Sequence, residues 1–202
     1  MLYGGFPSRA GRRMKILLHA CCSTCVLGPY PQLSQEGHEV TGFFYNPNIH
    51  PLIEFRRRLK ALKILQERLP LPVIYEEQYG LREWLDRVYW RDAGRCSSCY
   101  RLRLRRTARQ ARERRIEAFT TTLLASTHQD HDLVRRIGTE CAEAEGVEFL
   151  YRDWRGLAEE SRRRAAELRL YLQQYCGCIL SEYERFKDTT LQLYRGSAEA
   201  RP

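Results

Sequence analysis

The sequence predicts an α/β fold: a Rossmann-like parallel sheet of about five strands flanked by helices, in a single domain. Three observations predict it. Short apolar runs alternate with longer stretches of helical spacing, and proline and asparagine clusters punctuate the changes. The chain's 202 residues, 43% of them hydrophobic, suffice for one core and are marginal for two.

Lys15 to Ala20 is a short apolar run ending at cysteines, and Val40 to Tyr45 is a second, closed by Asn46-Pro47-Asn48. Both read as buried strands. Beyond Pro51, the apolar residues Phe55, Leu59, Leu62, Leu65 and Leu69 recur at helical spacing until Pro70 and Pro72 stop them, and Val73-Ile74-Tyr75 is the third strand. Arg82 to Tyr89 and Tyr100 to Arg115 read as helices. Phe119 to Ala125 is a β-branched strand, Asp130 to Glu145 a helix, Val147 to Tyr151 the last strand and Gly156 to Tyr171 a final long helix. This alternation demands parallel strands joined by crossover helices. The single α/β domain is expected over residues 14–195, with residues 1–13 a flexible extension and 196–202 a flexible tail.

Seven of the eight cysteines fall into three tight groups: Cys21-Cys22-Ser23-Thr24-Cys25, Cys96-Ser97-Ser98-Cys99 and Cys176-Gly177-Cys178. A tetrahedral zinc takes four ligands, so seven thiols call for an iron–sulfur cluster, two metals, or one metal with a separate redox pair. The plainer reading is one zinc on Cys96, Cys99 and two others. Adjacent Cys21 and Cys22 count against it, because neighbouring residues rarely both reach one tetrahedral ion. In an open α/β sheet the functional crevice lies at the carboxyl ends of the strands, just where Cys21, Cys22 and Cys25 fall, and loops are expected to bring the other two groups to the same edge. Cys141, on a helical stretch, reads as a packing residue.

No apolar run approaches the roughly 18 residues of a membrane span, so the protein is expected in the cytoplasm with no membrane partner. In a reducing compartment such cysteines read as metal ligands or catalytic thiols before disulfides. The net charge of +9 is carried almost wholly by arginine, with Lys15, Lys60, Lys63 and Lys187 the only lysines. Arginine forks suit phosphate. Arg101, Arg103, Arg105, Arg106, Arg109, Arg112, Arg114 and Arg115 form the densest run, with Glu113 the only acid among them, and they suggest a nucleic-acid groove. The competing reading is a solvated helix face, as for Arg56-Arg57-Arg58 and Arg162-Arg163-Arg164.

Five segments together resemble one family. They are Leu18-His19-Ala20-Cys21-Cys22, Phe44 to Pro51, Arg95 to Leu102 with Thr107-Ala108, Phe119 to Ser126, and Tyr175-Cys176-Gly177-Cys178. The chain from about Lys15 to about Arg185 resembles the epoxyqueuosine reductases of the QueH type. The resemblance implies the last step of queuosine synthesis, in which the epoxide on the modified wobble nucleoside of tRNA is reduced to an alkene without cobalamin. It also implies a [4Fe–4S] cluster beside a mononuclear iron, bound by Cys21, Cys22, Cys25, Cys96 and Cys99. Some relatives carry aspartate at the position of Cys25, so a thiolate there makes the second metal site softer. Cys176 and Cys178 complete the metal shell, form a redox pair or serve structurally.

Removing the epoxide oxygen as water takes two electrons and two protons, the electrons relayed singly from a donor such as ferredoxin. Candidate proton donors are His19, Tyr45, Tyr100, His128, Asp130 and His131, although a strand-end histidine is more often a core residue and His128 and His131 suit helix capping. The tRNA anticodon loop would lie on Arg101, Arg103, Arg105, Arg106 and Arg109, with the wobble base stacked on Tyr45 or Tyr100. Two rivals remain. An ATP-dependent tRNA-modifying enzyme of the HUP/PP-loop kind shares the expected fold, but His19-Ala20-Cys21-Cys22-Ser23 lacks the glycines of a phosphate cradle. A zinc-stabilised RNA-binding module would be colourless and iron-free.

Overall fold

A computed structural model describes residues 12–88 and 94–189. Among them, five strands form one parallel sheet in the order β3-β2-β1-β4-β5: β1 Lys15–His19, β2 Glu39–Phe44, β3 Val73–Tyr75, β4 Ala118–Thr121 and β5 Glu148–Phe149. The fold class is the one expected. Eight α-helices accompany the strands: α1 Ser23–Val26, α2 Pro29–Gln35, α3 Leu52–Gln66, α4 Leu81–Arg87, α5 Arg95–Glu113, α6 His131–Glu145, α7 Ala158–Glu167 and α8 Ile179–Phe186. Right-handed crossovers put α2 and α3 on one face and α5 and α6 on the other. The chain runs outward from β1 to β3, then returns to lay β4 on the free side of β1. That reversal opens a crevice at the carboxyl ends of β1 and β4.

Ile16, Leu17, Leu18, Phe43, Phe44 and Phe119 are buried on both faces of the central strands, which is why those runs are continuously apolar. Leu62 and Leu65 of α3 and Leu104 and Ala108 of α5 cover them. Gly138 lets α6 lie against the sheet: a Cβ there would come 2.4 Å from the Phe149 ring.

Several expected boundaries move for identifiable reasons. The run from Phe119 to Ala125 leaves the sheet at Thr121, whose hydroxyl accepts the Leu123 N–H at 3.2 Å and starts a 3₁₀ turn over Thr122–Ala125. Threonine side chains compete with the ladder in this way. The last strand contracts to Glu148–Phe149 because it has only Ala118 and Phe119 to pair with. The final helix is not one piece. A 3₁₀ turn over Arg155–Leu157 precedes α7, and the chain after it closes with Arg169 N–H on the Ala166 carbonyl and Leu170 N–H on that of Ala165, both at 2.9 Å. That is the helix-ending pattern glycine normally supplies, here with Arg169 in the left-handed region at φ 51°, so no sequence signal marked it. The helix expected from Tyr100 begins at Arg95, so Cys96 and Cys99 lie in its first two turns rather than before it. The short α1 and α2 and the terminal α8 carry no strong apolar period and were not expected. The helix expected over Arg82–Tyr89 is α4, with Tyr89 outside the described residues. The expected tail over 196–202 also lies outside them, as does the extension over 1–13 apart from Arg12 and Arg13; Arg12 pairs with Glu117.

Candidate metal centre

Cys21 is the second residue past β1, and Thr122, at the matching end of β4, fixes it from both sides. Its N–H donates to Thr122 Oγ1 at 3.1 Å, and the threonine hydroxyl donates to Cys21 Sγ at 3.2 Å. Cys22, with extended backbone, caps α1: its Sγ accepts the Cys25 N–H at 3.3 Å. Capping geometry thus turns the thiols of two adjacent residues and a third, three positions on, toward one point. Cys21, Cys22 and Cys25 have sulfurs all within 4.8 Å of one another, with 3.8 Å between the first two. Gln173 Nε2 donates to Cys25 Sγ at 3.4 Å. Hydrogen bonds from Cys22 and Cys25 hold the Cys21 thiol well below its usual range, helped by the Arg103 charge. Burial pushes Cys22 up, and hydrogen bonding to Cys21 and Cys22 pushes Cys25 up. Three such sulfurs form a soft donor set whose protons a metal ion can replace.

The other two groups meet each other. Cys99 and Cys178 are buried in one apolar cluster with Trp84 and Val88. Cys178 caps α8, its Sγ accepting the Ser181 N–H at 3.3 Å, and lies 4.0 Å from Cys176 Sγ. Hydrogen bonding from Cys178 draws the Cys176 thiol down to about 5. Gly177 makes the loop possible: it sits at φ +124°, and a Cβ would come 3.0 Å from Ile49 Cγ1, 3.2 Å from Asn48 Nδ2 and 3.3 Å from Arg58 Nη1. His50 N–H donates to the Gly177 carbonyl at 2.7 Å, seating the loop on the segment that follows β2.

Two buried arginines tie the groups together. Arg58 is 1% exposed, pairs with Glu54 at 2.7 Å and donates to the carbonyls of Tyr175 at 2.8 Å and Cys176 at 3.1 Å. Its charge also acts on Cys22. Arg103 is 3% exposed and donates to Asn46 Oδ1 at 3.2 Å, while Asn46 Nδ2 donates to the Ala20 carbonyl at 2.9 Å. Its field reaches Cys21, Cys99 and Cys176, one residue from each group. Buried guanidinium beside thiolates offsets the negative charge that an all-thiolate metal site accumulates. Sequence reasoning passed over Arg58 as one of a basic triplet. Its signal was its place on α3's buried stripe, four residues after Glu54 and four before Leu62. Thr122 and Gln173 were also missed.

The proton-donor candidates separate. His19 is fully buried, with Nε2 3.1 Å from the Tyr45 carbonyl and Nδ1 2.9 Å from Thr121 Oγ1. A carbonyl only accepts, so Nε2 carries the proton and Nδ1 accepts from Thr121. Burial pulls the imidazole down to about 3, leaving it neutral. Asp130 caps α6 by accepting the Leu133 N–H at 3.0 Å. His131 is buried, with Nε2 3.3 Å from the Ser126 carbonyl, and the His128 N–H donates to Ser126 Oγ. The Tyr100 hydroxyl donates to Gln129 at 2.7 Å. Tyr45 stacks on Phe43 at 6.2 Å and lines a cavity of about 600 Å³ with Tyr79 and Glu83, and burial pushes its hydroxyl up.

The arginines of α5 do not form one face. Arg103 points into the site. Arg101 pairs with Glu140 at 2.5 Å, Arg106 with Glu76, Arg109 with Glu113 at 2.9 Å and Arg112 with Glu145 at 2.6 Å, while Arg105 is exposed. Exposed pairs contribute only about 0–1 kcal/mol each, so phosphate can displace such carboxylates.

The family model described as "Epoxyqueuosine reductase QueH" matches residues 16–184. A protein of that name from Dehalococcoides mccartyi is 38% identical over 172 residues, covering 85% of this chain and 94% of its own. Namesakes from Thermotoga maritima and Haemophilus influenzae are 36% and 32% identical, covering 84% and 83% of this chain and 91% and 71% of their own.

Proposed function

The chain belongs to the epoxyqueuosine reductase QueH family, and from that premise we propose that this oxidoreductase removes the epoxide oxygen of epoxyqueuosine at the tRNA wobble position, giving queuosine. The observation that carries the chemistry is the buried triad of Cys21, Cys22 and Cys25 at the crevice of the sheet. Its soft, closely spaced sulfurs fit iron in thiolate coordination. In this reading Cys21, Cys22, Cys96 and Cys99 hold a [4Fe–4S] cluster, Cys25 turns to a second, mononuclear iron, and Cys176 and Cys178 close the site. Bound there, such a centre supplies electrons one at a time and an open iron position that polarises the epoxide oxygen.

The balance is epoxide plus two electrons and two protons to alkene plus water. Ferredoxin or a similar donor delivers the electrons. The chain's own residues supply position, charge and exclusion of water. Thr122 fixes Cys21, Arg58 anchors the Cys176 loop, and Arg103 offsets negative charge between the groups. His19 positions the Tyr45 carbonyl and the end of β4, and being neutral it adds no charge. Tyr45 offers a stacking face at the mouth of its cavity. Tyr100, one helical turn after Cys96, and Asp130, whose charge acts on Cys96, remain the proton donors in this reading. The exposed arginines of α5 meet RNA phosphates in exchange for their carboxylates.

The test is anaerobic purification, iron and sulfide analysis, and reduction of epoxyqueuosine-containing tRNA with a chemical reductant. A brown protein with several irons per chain and measurable queuosine formation is expected. Cys21→Ala, Cys22→Ala and Cys96→Ala each abolish turnover, while Cys141→Ala leaves it nearly unchanged. An iron-replete preparation that forms no queuosine overturns the assignment.

A further inference from the structure

Between α3 and the turn that ends α7 lies a concavity of about 320 Å³ lined by Arg57, Lys60, Arg169 and Tyr171. Three cations share its wall. Arg58 pairs with Glu54, Lys63 with Glu77 and Arg163 with Glu160, but among the described residues Arg57, Lys60 and Arg169 have no carboxylate partner. Unpaired like charges around one hollow repel each other unless an anion enters. Arg169 occupies its left-handed position at φ 51°, where glycine fits at least cost, and so adds charge where the backbone turn favours none. The Arg57 guanidinium lies 5.8 Å from the centre of the Tyr171 ring, placing an aromatic face beside the charge.

The chain links the hollow to the thiols. Tyr171 is two residues before Gln173, at most about 7 Å along the chain, and Gln173 donates to Cys25 Sγ at 3.4 Å. The Tyr171 hydroxyl donates to Glu54, the carboxylate that orients Arg58. An anion held here would therefore sit on the segment that also contacts the metal triad through Gln173.

We propose that this concavity is a phosphate subsite for the RNA strand that carries the reacting nucleoside. Arg57 and Arg169 present guanidinium forks and Lys60 an ammonium to phosphate oxygens, and Tyr171 offers a face to an adjacent base. The proposal rests on the tRNA substrate of the preceding section. It gives that substrate a second basic contact, so that the anticodon loop is gripped from both faces of the sheet across the crevice.

The experiment measures binding of anticodon stem-loop RNA to metal-loaded protein over a range of salt. It compares the wild type with R57Q/K60Q and with R136Q/R152Q, which removes equal charge from exposed positions on and after α6. For R57Q/K60Q a tenfold or larger loss of affinity near 0.1 M salt is expected, with the slope of log K against log salt reduced by about 1–2. Iron and sulfide content should be unchanged, and R136Q/R152Q should stay within twofold of wild type. Wild-type affinity and slope in R57Q/K60Q, or an equal loss in R136Q/R152Q, overturn the subsite alone. A wild-type protein that binds no RNA overturns the functional reading and the subsite with it.

Discussion

Buried charge and buried neutrality are assigned residue by residue in this site. Arg58 keeps a full charge beneath the surface because the Glu54 carboxylate and the Tyr175 and Cys176 carbonyls accept from it, and buried Arg103 donates to Asn46, whereas His19 is stripped of its charge by burial. His50, 2% exposed, is likewise drawn down to about 4 by burial. Both folded-state values lie below the ordinary 6.5, so as pH falls below that value the unfolded chain takes up protons before the native one. Stability is therefore fully present above about pH 6.5 and declines as pH drops toward 4 and then 3. Urea titrations between pH 7 and 4 should show falling stability with a proton uptake approaching two, reduced by about one in His19→Gln. A flat profile would refute the assignment of both rings as neutral. The cysteine groups were legible in the sequence because spacing alone exceeds what one zinc takes. The buried arginines were not, since a string of letters does not say which residue of Arg56-Arg57-Arg58 faces inward.

Among elements, the decisive feature is how loops end helices and strands. Cys22 and Cys178 both act as caps, so two thiols double as the acceptors that helix N-termini require. The Cys176-Gly177-Cys178 loop depends on a backbone conformation and a clearance that only glycine offers. Gly177→Ala is expected to cost about 1–3 kcal/mol from its left-handed backbone alone and to loosen the Cys176 side of the site. A thermal melt combined with iron retention measures this, and wild-type values in both would contradict the packing described. Arg58→Met leaves Glu54 buried and unpaired, a loss of about 3–5 kcal/mol. It should release the same loop, detectable as faster alkylation of Cys176. Helix boundaries were the least legible part of the sequence. Arg115 and Arg169 both occupy left-handed helix-ending positions where glycine is the usual marker.

For the whole molecule, the strand order gathers residues separated by about a hundred positions. His19 meets Thr121, Cys21 meets Thr122 and Cys25 meets Gln173, so a metal held across these elements would tie the sheet's carboxyl edge to the C-terminal segment. A ligand that binds only the native state adds its binding free energy to stability. Anaerobic chelation of the proposed iron centre should lower the melting midpoint by about 2–4 °C for each kcal/mol of binding lost. Reconstitution with iron and sulfide should restore it. An unchanged midpoint after complete metal removal would mean that the three cysteine groups do not share a centre.

The sequence by itself determined the alternation that makes an α/β sheet, because hydrophobic period and helix stops are local properties. It determined also the excess of soft ligands, because thiol chemistry belongs to the residue. The tertiary structure alone decided which charges are buried, that Thr122 and Gln173 attend the thiols, and that cations on α3 and after α7 share one hollow. These depend on crossing distances between elements remote in sequence, which the order of residues constrains only through the packed fold.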